Sequence, residues 1–313
     1  MSRIIKMGSY LPQNKLSNLD LIEKFKIDSS DEWIQQRTGI AQRYFADHNE
    51  EVSHLAIKAA KDLVDQMDQS IASEIKTIIV ASMSSKQPTP SVANQVSLAL
   101  NCEDAFCLDI NTACSGFVSA LELAEHLSSN QTTGYTLVIG AEKMSQILDA
   151  NDRSTNILFG DGAGAFLIEH DGIGLLEYQS AMHSDGDLSL SIEVSQATNF
   201  LMQMKGREVF NFVSRKVIPS LIDFIQKNAI EMDYLICHQA NQRFIDLIAK
   251  KLSLDELKLP SNIKEVANLS AASIPVLCHQ LVKNKQLKLD GTQTIVLCGF
   301  GAGLSWGNIT LKI

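Results

Sequence analysis

The sequence predicts an α/β fold made of two similar halves, and three observations point to it. Apolar runs of strand length alternate with amphipathic helical patterns through most of the 313 residues. The same alternation occurs before residue 170 and again after it. No Pro-rich or Ser-rich linker separates the halves, and the chain holds six prolines. We therefore expect two halves, 1–170 and 171–313, that pack as one unit.

The apolar periodicity places the elements of each half. In the first half, short apolar runs predict strands at 75–82, 105–110, 135–140 and 163–168. Apolar residues at i, i+3 and i+4 predict helices at 52–67, 91–100 and 115–128. The second half is predicted to hold helices at 207–228, 241–252 and 271–284 and strands at 233–238, 292–299 and 303–313.

Composition narrows the class of protein. A net charge of -9 argues against a nucleic-acid binder, which needs a dense basic face to neutralise phosphates. The first thirty residues lack the apolar core of a signal peptide, and no stretch approaches eighteen uninterrupted apolar residues. Six irregularly spaced cysteines fit reduced thiols better than a disulfide framework. We expect a cytoplasmic protein that does not span a membrane.

Cys114 stands where a predicted strand meets a predicted helix. The segment NTACSGF, residues 111–117, follows an apolar run that ends at Ile110. A thiol at a helix N-terminus faces the positive end of the helix dipole, which stabilises the thiolate and lowers the pKa. Small neighbouring residues leave room for a substrate carbonyl. Cys114 is therefore the candidate nucleophile, with a buried structural cysteine as the alternative.

Two polar residues of the second half occupy comparable positions. His238 follows the apolar run at 234–237, at the carboxyl end of a predicted strand, where α/β folds carry ligands. Asn268 lies just ahead of another predicted helix. Both side chains can donate a hydrogen bond to a developing oxyanion. Taken singly, His238 could equally be a structural histidine, and Asn268 could equally be a helix N-cap.

Two glycine-rich segments, 160–164 (GDGAG) and 299–303 (GFGAG), look like phosphate-binding loops. Each precedes a strand pattern and not a helix, so neither has the context of a dinucleotide-binding loop or a P-loop. We interpret both as tight turns between strands. An alternative for the second turn is that it directs a backbone N–H at the reaction centre.

Cys-His dipeptides at 237–238 and 278–279 suggest a metal site as another alternative. Successive residues of a strand point to opposite faces of the sheet, so Cys237 and His238 are poorly placed to share an ion. We expect no metal.

Seven segments together resemble the thiolase-like condensing enzymes, most closely the β-ketoacyl-(acyl-carrier-protein) synthase III family. They run nearly end to end and in the family's order. The segments are GSYLP at 8–12, SSDEWIQQRTGI at 29–40, NTACSGF at 111–117, DRSTNILFGDGAGA at 152–165, HQAN at 238–241, NLSAASIP at 268–275 and GFGAGLSWG at 299–307.

The resemblance implies a five-layer αβαβα fold of two duplicated halves, a homodimer, and a cofactor-free enzyme that starts type II fatty-acid synthesis. Cys114 would take an acyl group, usually acetyl, from coenzyme A, with the oxyanion held by its own N–H and that of Ala302. His238 and Asn268 would hold the thioester carbonyl of malonyl-acyl carrier protein while carbon dioxide leaves. Phe300 would keep water from the carbanion that attacks the acyl-cysteine.

The same resemblance assigns residues to substrate binding. Trp33 and Arg153 match the pair that sandwiches the adenine of coenzyme A. Arg37 would meet its phosphates, and Gly206 and Asn241 would line the pantetheine tunnel. Without the motifs, we would interpret Trp33 as a residue partly buried for packing and the arginines as solvated surface residues.

An acidic carrier protein requires a local basic surface on a chain that is itself acidic. Arg243 matches a docking position of the family, and ordinary solvated helix charges are the alternative. The basic residues of the two helices concerned are Lys205, Arg207, Arg215, Lys216, Arg243, Lys250 and Lys251.

The chain departs from the family pattern near the expected site. Ala302 replaces a glycine, which adds strain if the position needs a positive φ. The pair 266–267 (Val-Ala) stands where Tyr-Gly is usual, Leu269 replaces a threonine, and the stretch 186–200 is about ten residues short. Thr89 replaces a large residue that closes the acyl pocket from the partner subunit, which predicts room for a primer bulkier than acetyl.

Three other functions remain to be weighed. The departures keep open a specialised condensing or acyl-transfer enzyme of secondary metabolism on the same fold. A Cys-His-Asn hydrolase has the same residue order, but Cys114 lies far from the N-terminus and the Cys-Gly-Ser-Cys-Trp signature is absent. A catalytically silent subunit fits poorly with retention of all three residues.

Overall fold

The computed structural model describes residues 2–68, 71–128, 134–170, 179–187, 190–194 and 200–313. Its strands are β1 (Ser2–Tyr10), β2 (Asn14–Ser17), β3 (Gln42–Phe45), β4 (Ile75–Ala81), β5 (Phe106–Ile110), β6 (Tyr135–Lys143), β7 (Asp161–His170), β8 (Gln179–Asp187), β9 (Leu190–Val194), β10 (Phe200–Met204), β11 (Tyr234–Cys237), β12 (Thr294–Gly301) and β13 (Gly303–Lys312). Its helices are α1 (Asn18–Phe25), α2 (Asp31–Thr38), α3 (Val52–Val64), α4 (Ile71–Glu74), α5 (Val92–Leu100), α6 (Gly116–Ser128), α7 (Arg153–Asn156), α8 (Gly206–Phe212), α9 (Ile218–Lys227), α10 (Gln242–Leu252), α11 (Ile263–Val266) and α12 (Ser273–Lys283).

Every helix and strand predicted from apolar periodicity is present, with ends that differ by three residues or fewer. The predicted helix 207–228 is α8 and α9, joined by one π-helical turn at Val213–Val217. The sequence did not predict β1, β8, the small elements between 14 and 45, the β9–β10 hairpin or the short helices α4, α7 and α11. Their mixed polar and apolar residues carry no clear period.

Two mixed sheets with matching strand patterns form the framework. In the first, the order is β1-β7-β6-β4-β5, and in the second it is β8-β13-β12-β11. In each sheet, read in that order, the first two pairings are antiparallel and the next is parallel. The first sheet adds one parallel strand, β5, beyond β4. Two small hairpins, β2–β3 and β9–β10, complete the strands described.

The hydrophobic core shows five layers. Helices α6 and α12 lie between the two sheets, where their apolar residues pack against β4, β6 and β7 on one side and β11, β12 and β13 on the other. Helices α3 and α5 cover the outer face of the first sheet. Helices α9 and α10 cover that of the second. The predicted αβαβα fold is therefore confirmed. The boundary near residue 170 stays a prediction, because residues 171–178 lie outside those described.

The first glycine-rich segment is not a turn, contrary to our interpretation. Strand β7 begins at Asp161, so most of the segment 160–164 is strand. A Cβ on Gly164 would lie 2.7 Å from the Val276 nitrogen and 2.8 Å from Pro275. Gly164 therefore lets α12 approach the sheet closely. The second segment does contain the predicted turn, at Ala302 between β12 and β13.

Candidate active site

A cavity of about 400 Å³ opens at the carboxyl ends of the central strands. Cys114, His238 and Asn268 all line it, and Phe300 lies beside them. The cavity extends past apolar side chains to Gly206, Arg207 and Arg243, which are exposed at the surface. The remaining lining residues are Leu158, Phe159, Met204, Val209, Phe210, Phe212, Ala240, Asn241, Phe244, Gly301 and Leu304. The three candidates from the two halves thus meet in one cavity.

Cys114 sits on a tight turn at the start of the central helix. The 3-10 turn Ala113–Ser115 leads directly into α6, and Ala113 has a left-handed φ of 49°. The end of β12 packs closely against this turn, since a Cβ on Gly301 would lie 2.7 Å from the Cys114 nitrogen. Only glycine permits that approach. Cys114 is 5% exposed, so its sulfur is reached through the cavity.

The pKa of Cys114 is raised and not lowered, contrary to our expectation. Burial, with a smaller effect of the nearby Glu142 carboxylate, raises the pKa of the thiol to about 12. Interactions with the Ser270 side chain and the Cys114 backbone N–H lower the pKa but are outweighed. The thiol is therefore protonated at neutral pH and needs a base during the reaction.

His238 follows β11 and is buried against Phe300. Its backbone N–H donates to the Cys298 carbonyl at 2.8 Å, and its ring meets Phe300 edge-on at 5.2 Å. Burial lowers the pKa of the imidazole to about 3. His238 is therefore neutral at physiological pH. A neutral imidazole has one N–H that can donate a hydrogen bond to an oxyanion, and it carries no extra proton to act as an acid.

Asn268 is held through both its backbone and its side chain. Its N–H donates to the Leu158 carbonyl and its carbonyl accepts from Gly160, both at 3.0 Å. The side-chain Oδ1 accepts from the Ser270 N–H at 2.7 Å. Because the amide oxygen is engaged there, Nδ2 is the group left to donate to a ligand in the cavity. Asn268 is therefore not a helix N-cap, because Leu269 and Ala272 hold the N-cap positions of the turn Ser270–Ala272 and of α12.

An arginine–tryptophan cluster lies outside the cavity. The Arg153 guanidinium stands 4.8 Å from the Trp33 ring and that of Arg37 stands 5.6 Å from it. Asn241 connects this cluster to the cavity, because its Nδ2 donates to the Arg37 carbonyl while its side chain caps α10. The structure thus brings together Trp33, Arg37, Arg153 and Asn241, as the resemblance implied.

Comparison with known proteins settles the family. Residues 108–186 match the profile of 3-oxoacyl-[acyl-carrier-protein] synthase III, and residues 225–313 match that of its C-terminal part. The β-ketoacyl-[acyl-carrier-protein] synthase III of Streptococcus equi subsp. zooepidemicus is 41% identical over 330 positions, covering 100% of this chain and 99% of the relative. The chain belongs to the β-ketoacyl-(acyl-carrier-protein) synthase III family.

Solved structures agree with that membership. The 3-oxoacyl-[acyl-carrier-protein] synthase III of Aquifex aeolicus superposes with a TM-score of 0.91 at 35% identity, covering 100% of both chains. The priming β-ketosynthase of the R1128 polyketide pathway has a TM-score of 0.91 at 28% identity, covering 99% of this chain and 96% of that one. Like the rest of the synthase III family, this chain is a condensing enzyme of the acyltransferase type.

Two residues that the family pattern singles out are not among those that line the cavity. Ala302 forms the half-buried turn between β12 and β13, and its N–H belongs to the peptide bond with Gly301, which lines the cavity beside Cys114. Thr89 lies in an exposed loop that leads into α5. The short stretch 186–200 lies partly outside the described residues.

The backbone strain expected of Ala302 occurs at another departure from the family. Ala302 is not among the described non-glycine residues with positive φ. Ala267, which stands where the synthase III family usually has glycine, adopts φ 62° and ψ -164°. That region is almost reserved for glycine and costs other residues about 1–3 kcal/mol. The chain therefore tolerates strain directly before Asn268.

Replacing Ala267 with glycine is expected to raise the free energy of unfolding by about 1 kcal/mol, because relief of strain exceeds the added chain entropy. Urea unfolding measures the change. Ala249, in the interior of α10, is the matched control. Ala249→Gly is expected to lower the free energy by about 1 kcal/mol. Equal destabilisation by both changes would show that Ala267 is not strained.

Sequence reasoning missed two residues that contact the site, Glu142 and Ser270. Glu142 is the last residue but one of β6 and is fully buried, and the Ser270 hydroxyl donates to its Oε1 at 2.9 Å. The Ser270 side chain also lowers the pKa of the Cys114 thiol. Glu142 could have been found in the sequence, because it follows the apolar run at 135–141. His238 was predicted as a site residue from the same kind of position, directly after a strand.

Neither a disulfide nor a metal-binding cluster is found among the residues described. All six cysteines are free thiols. In the parts of the chain that the structure covers, no group of three His, Cys, Asp or Glu residues is placed to hold a metal ion. No helix in those parts is long and apolar enough to cross a membrane.

Proposed function

We propose that this chain joins a short acyl group, delivered as acyl-coenzyme A, to malonyl-acyl carrier protein in a decarboxylative condensation. The observation that carries the proposal is the meeting of Cys114, neutral His238 and Asn268 in one cavity. A nucleophile and a pair of neutral hydrogen-bond donors suit two successive thioester substrates. The product is a 3-oxoacyl carrier protein, the first intermediate of type II fatty-acid synthesis.

In the first half-reaction, Cys114 attacks the acyl-coenzyme A carbonyl and expels the coenzyme thiol. The N–H groups of Cys114 and Ala302 bind the oxyanion, with Ala302 presented by the turn after β12. Trp33 and Arg153 hold the adenine between them, and Arg37 binds phosphate. The pantetheine arm runs past Gly206 and Asn241 to the cysteine.

In the second half-reaction, malonyl-acyl carrier protein occupies the same cavity. His238 and the Nδ2 of Asn268 donate to its thioester carbonyl, which stabilises the enolate as carbon dioxide leaves. Phe300 packs against His238 and keeps water from the carbanion. The carbanion then attacks the acyl-cysteine and frees the Cys114 sulfur. The carbon–carbon bond is formed without a resident cofactor, because decarboxylation supplies the carbanion.

A homodimer is part of the proposal. Strand β5 lies at the edge of the first sheet, with Phe106 58% exposed, and Leu98 of the adjacent α5 is 81% exposed. An open edge with such residues suits pairing with a second copy. Thr89, in the loop that enters α5, would then reach the partner's acyl pocket and leave room for branched primers. Sedimentation as a dimer and turnover of isobutyryl-coenzyme A beside acetyl-coenzyme A check this proposal.

The acyl carrier protein is proposed to dock at the mouth of the cavity. Arg207 and Arg243 line the mouth, and the other basic residues of α8–α9 and α10 are exposed on the same helices. This local positive surface compensates for the chain's net charge of -9. We place the reaction in the cytoplasm, where coenzyme A and carrier protein are both present.

Arg243→Glu is expected to raise the KM for malonyl-acyl carrier protein about tenfold or more, because a repulsive charge replaces an attractive one. The KM for acetyl-coenzyme A should change little. Steady-state formation of 3-oxobutyryl-acyl carrier protein, measured against both substrates, tests the function and the docking surface together. Lys288→Glu is the matched control, because it makes the same reversal of charge at an exposed residue before β12. Equal effects of both variants, or no product from wild type, would contradict the proposal.

A further inference from the structure

Glu142 is a buried carboxylate with no place in the proposed mechanism. It lies at the carboxyl end of β6 with 0% of its surface exposed. Its oxygens accept hydrogen bonds from the N–H groups of Met83 and Ser84 at 3.1–3.3 Å and from the Ser270 hydroxyl at 2.9 Å. The hydroxyl groups of Ser82 and Ser84 donate as well. Neutral donors alone hold it, since no cation pairs with it among the described residues.

Ser270 connects this carboxylate to the candidate nucleophile. The turn Ser270–Ala272 packs against the turn Ala113–Ser115, and the Ser270 side chain lowers the pKa of the Cys114 thiol. The Ser270 hydroxyl contacts Glu142 Oε1 at 2.9 Å and Met83 Sδ at 3.2 Å, so it lies between the turn that carries Cys114 and the carboxylate. Ser270 has a left-handed φ of 49° and its N–H is fixed by Asn268. The backbone thus holds the hydroxyl in place.

We propose that Ser270 and Glu142 form a relay that takes the proton of Cys114 during acyl transfer and returns it during condensation. As the Cys114 sulfur bonds to the thioester carbon, its proton passes to Ser270 Oγ, and the Ser270 proton passes to Glu142 Oε1. The departing coenzyme A thiolate takes a proton from solvent. When the carbanion attacks the acyl-cysteine, the expelled thiolate recovers its proton through Ser270 from Glu142.

Charge conservation within the buried site favours this route. A thiolate beside ionised Glu142 would place two negative charges out of water, which is costly without a cation. The relay never places two negative charges on the carboxylate and the sulfur together: Glu142 carries one before acyl transfer, and both groups are neutral in the acyl-enzyme. Ser270 touches the reacting sulfur and is a catalytic residue in this scheme, while Glu142 acts through it as a positioning residue and proton store.

The titration of the groups around the relay is consistent with the geometry. Burial raises the pKa of Glu142 to about 7, so near neutral pH it can both accept and return a proton. Cys114 is the titratable group that contacts it through Ser270. Lys143, the next residue of β6, directs Nζ to the Asp47 and His48 carbonyls instead.

The remaining titratable groups near the cavity do not contact Cys114 in the way that this role requires. His238 lines the same cavity but stays neutral, because burial lowers its pKa to about 3. Burial raises the pKa of Asp161 to about 6, but Asp161 does not line the cavity and accepts hydrogen bonds from Ser145 and the Ala46 N–H. A limb in the pH profile near 7 is therefore assigned to Glu142.

The test is the pH profile of Cys114 acetylation, and it rests on the proposed role of Cys114. The single-turnover rate of acetylation by acetyl-coenzyme A is followed by intact mass between about pH 5 and 9. In wild type, the rate should rise through about pH 7, where Glu142 loses its proton. Glu142→Gln and Ser270→Ala should lose this rise and acetylate about 10²-fold more slowly at pH 8. Glu142→Asp should restore part of the rise.

Ser84→Ala is the matched control, because Ser84 donates to the same carboxylate. It should keep the rise but shift it to higher pH, since loss of a donor raises the pKa of Glu142 further. A rise near pH 7 that persists in Glu142→Gln, or in Ser270→Ala should Glu142→Gln not fold, overturns the relay. Wild type that is not acetylated on Cys114 overturns the proposed nucleophile instead, so the two failures are distinguishable.

Discussion

Cys114→Ala should abolish condensation while malonyl-acyl carrier protein is still decarboxylated. Removal of the nucleophile is expected to lower the condensation rate by at least about 10⁴-fold. The donors His238 and Asn268 remain, so the enolate still forms and is quenched by a proton. Release of carbon dioxide from malonyl-acyl carrier protein and formation of 3-oxoacyl product, measured in the same reaction, separate the two half-reactions.

Cys107→Ala supplies the control for loss of a thiol. Cys107 is half-buried in β5 and does not line the cavity. This variant should keep both half-reactions. Condensation at wild-type rate in Cys114→Ala would show that another residue carries the acyl group.

His238→Ala should show the opposite pattern. Loss of one oxyanion donor is expected to slow decarboxylation by about 10²–10³-fold. Acetylation of Cys114 should stay within about threefold of wild type, because the proton route through Ser270 does not involve the imidazole. Rates of carbon dioxide release and of acetyl-enzyme formation measure the two effects. The decarboxylation rate of wild type should also lack a limb near pH 6.5, since His238 is already neutral there.

Asn268→Ala should slow decarboxylation to a similar degree, but it also frees the Ser270 N–H, so His238→Ala is the cleaner variant. If His238→Ala lost Cys114 acetylation and kept decarboxylation, the histidine would be the base of the thiol. That result would exchange the proposed roles of His238 and Glu142.

The fold was predictable because its core elements have strong periods. Helices α6 and α12 are buried between two sheets, and strands such as β4 are apolar on both faces, so their residues carry a clear pattern. Strand β1 was missed because its residues, SRIIKMGSY, mix polar and apolar side chains without a regular period. The segment 160–164 was misinterpreted because glycines that permit close packing, such as Gly164 against α12, look like turn glycines in a sequence.

The site was predictable in its residues but not in its electrostatics. Strand ends and helix starts gave Cys114, His238 and Asn268, which line one cavity. The helix terminus suggested a lowered thiol pKa, but depth of burial, which a sequence does not contain, raises it. Glu142 was overlooked because its partners come from segments 60 and 128 residues away. Such a network exists only once the chain is folded.

Acetylation of Cys114 is the central claim, and intact mass spectrometry after incubation with acetyl-coenzyme A tests it most directly. Wild type should gain the mass of one acetyl group, located on the peptide that contains Cys114. Cys114→Ala should gain none, and Cys107→Ala should gain one. Acetylation of another residue, or no labelling of wild type by any acyl-coenzyme A, would contradict the proposed mechanism.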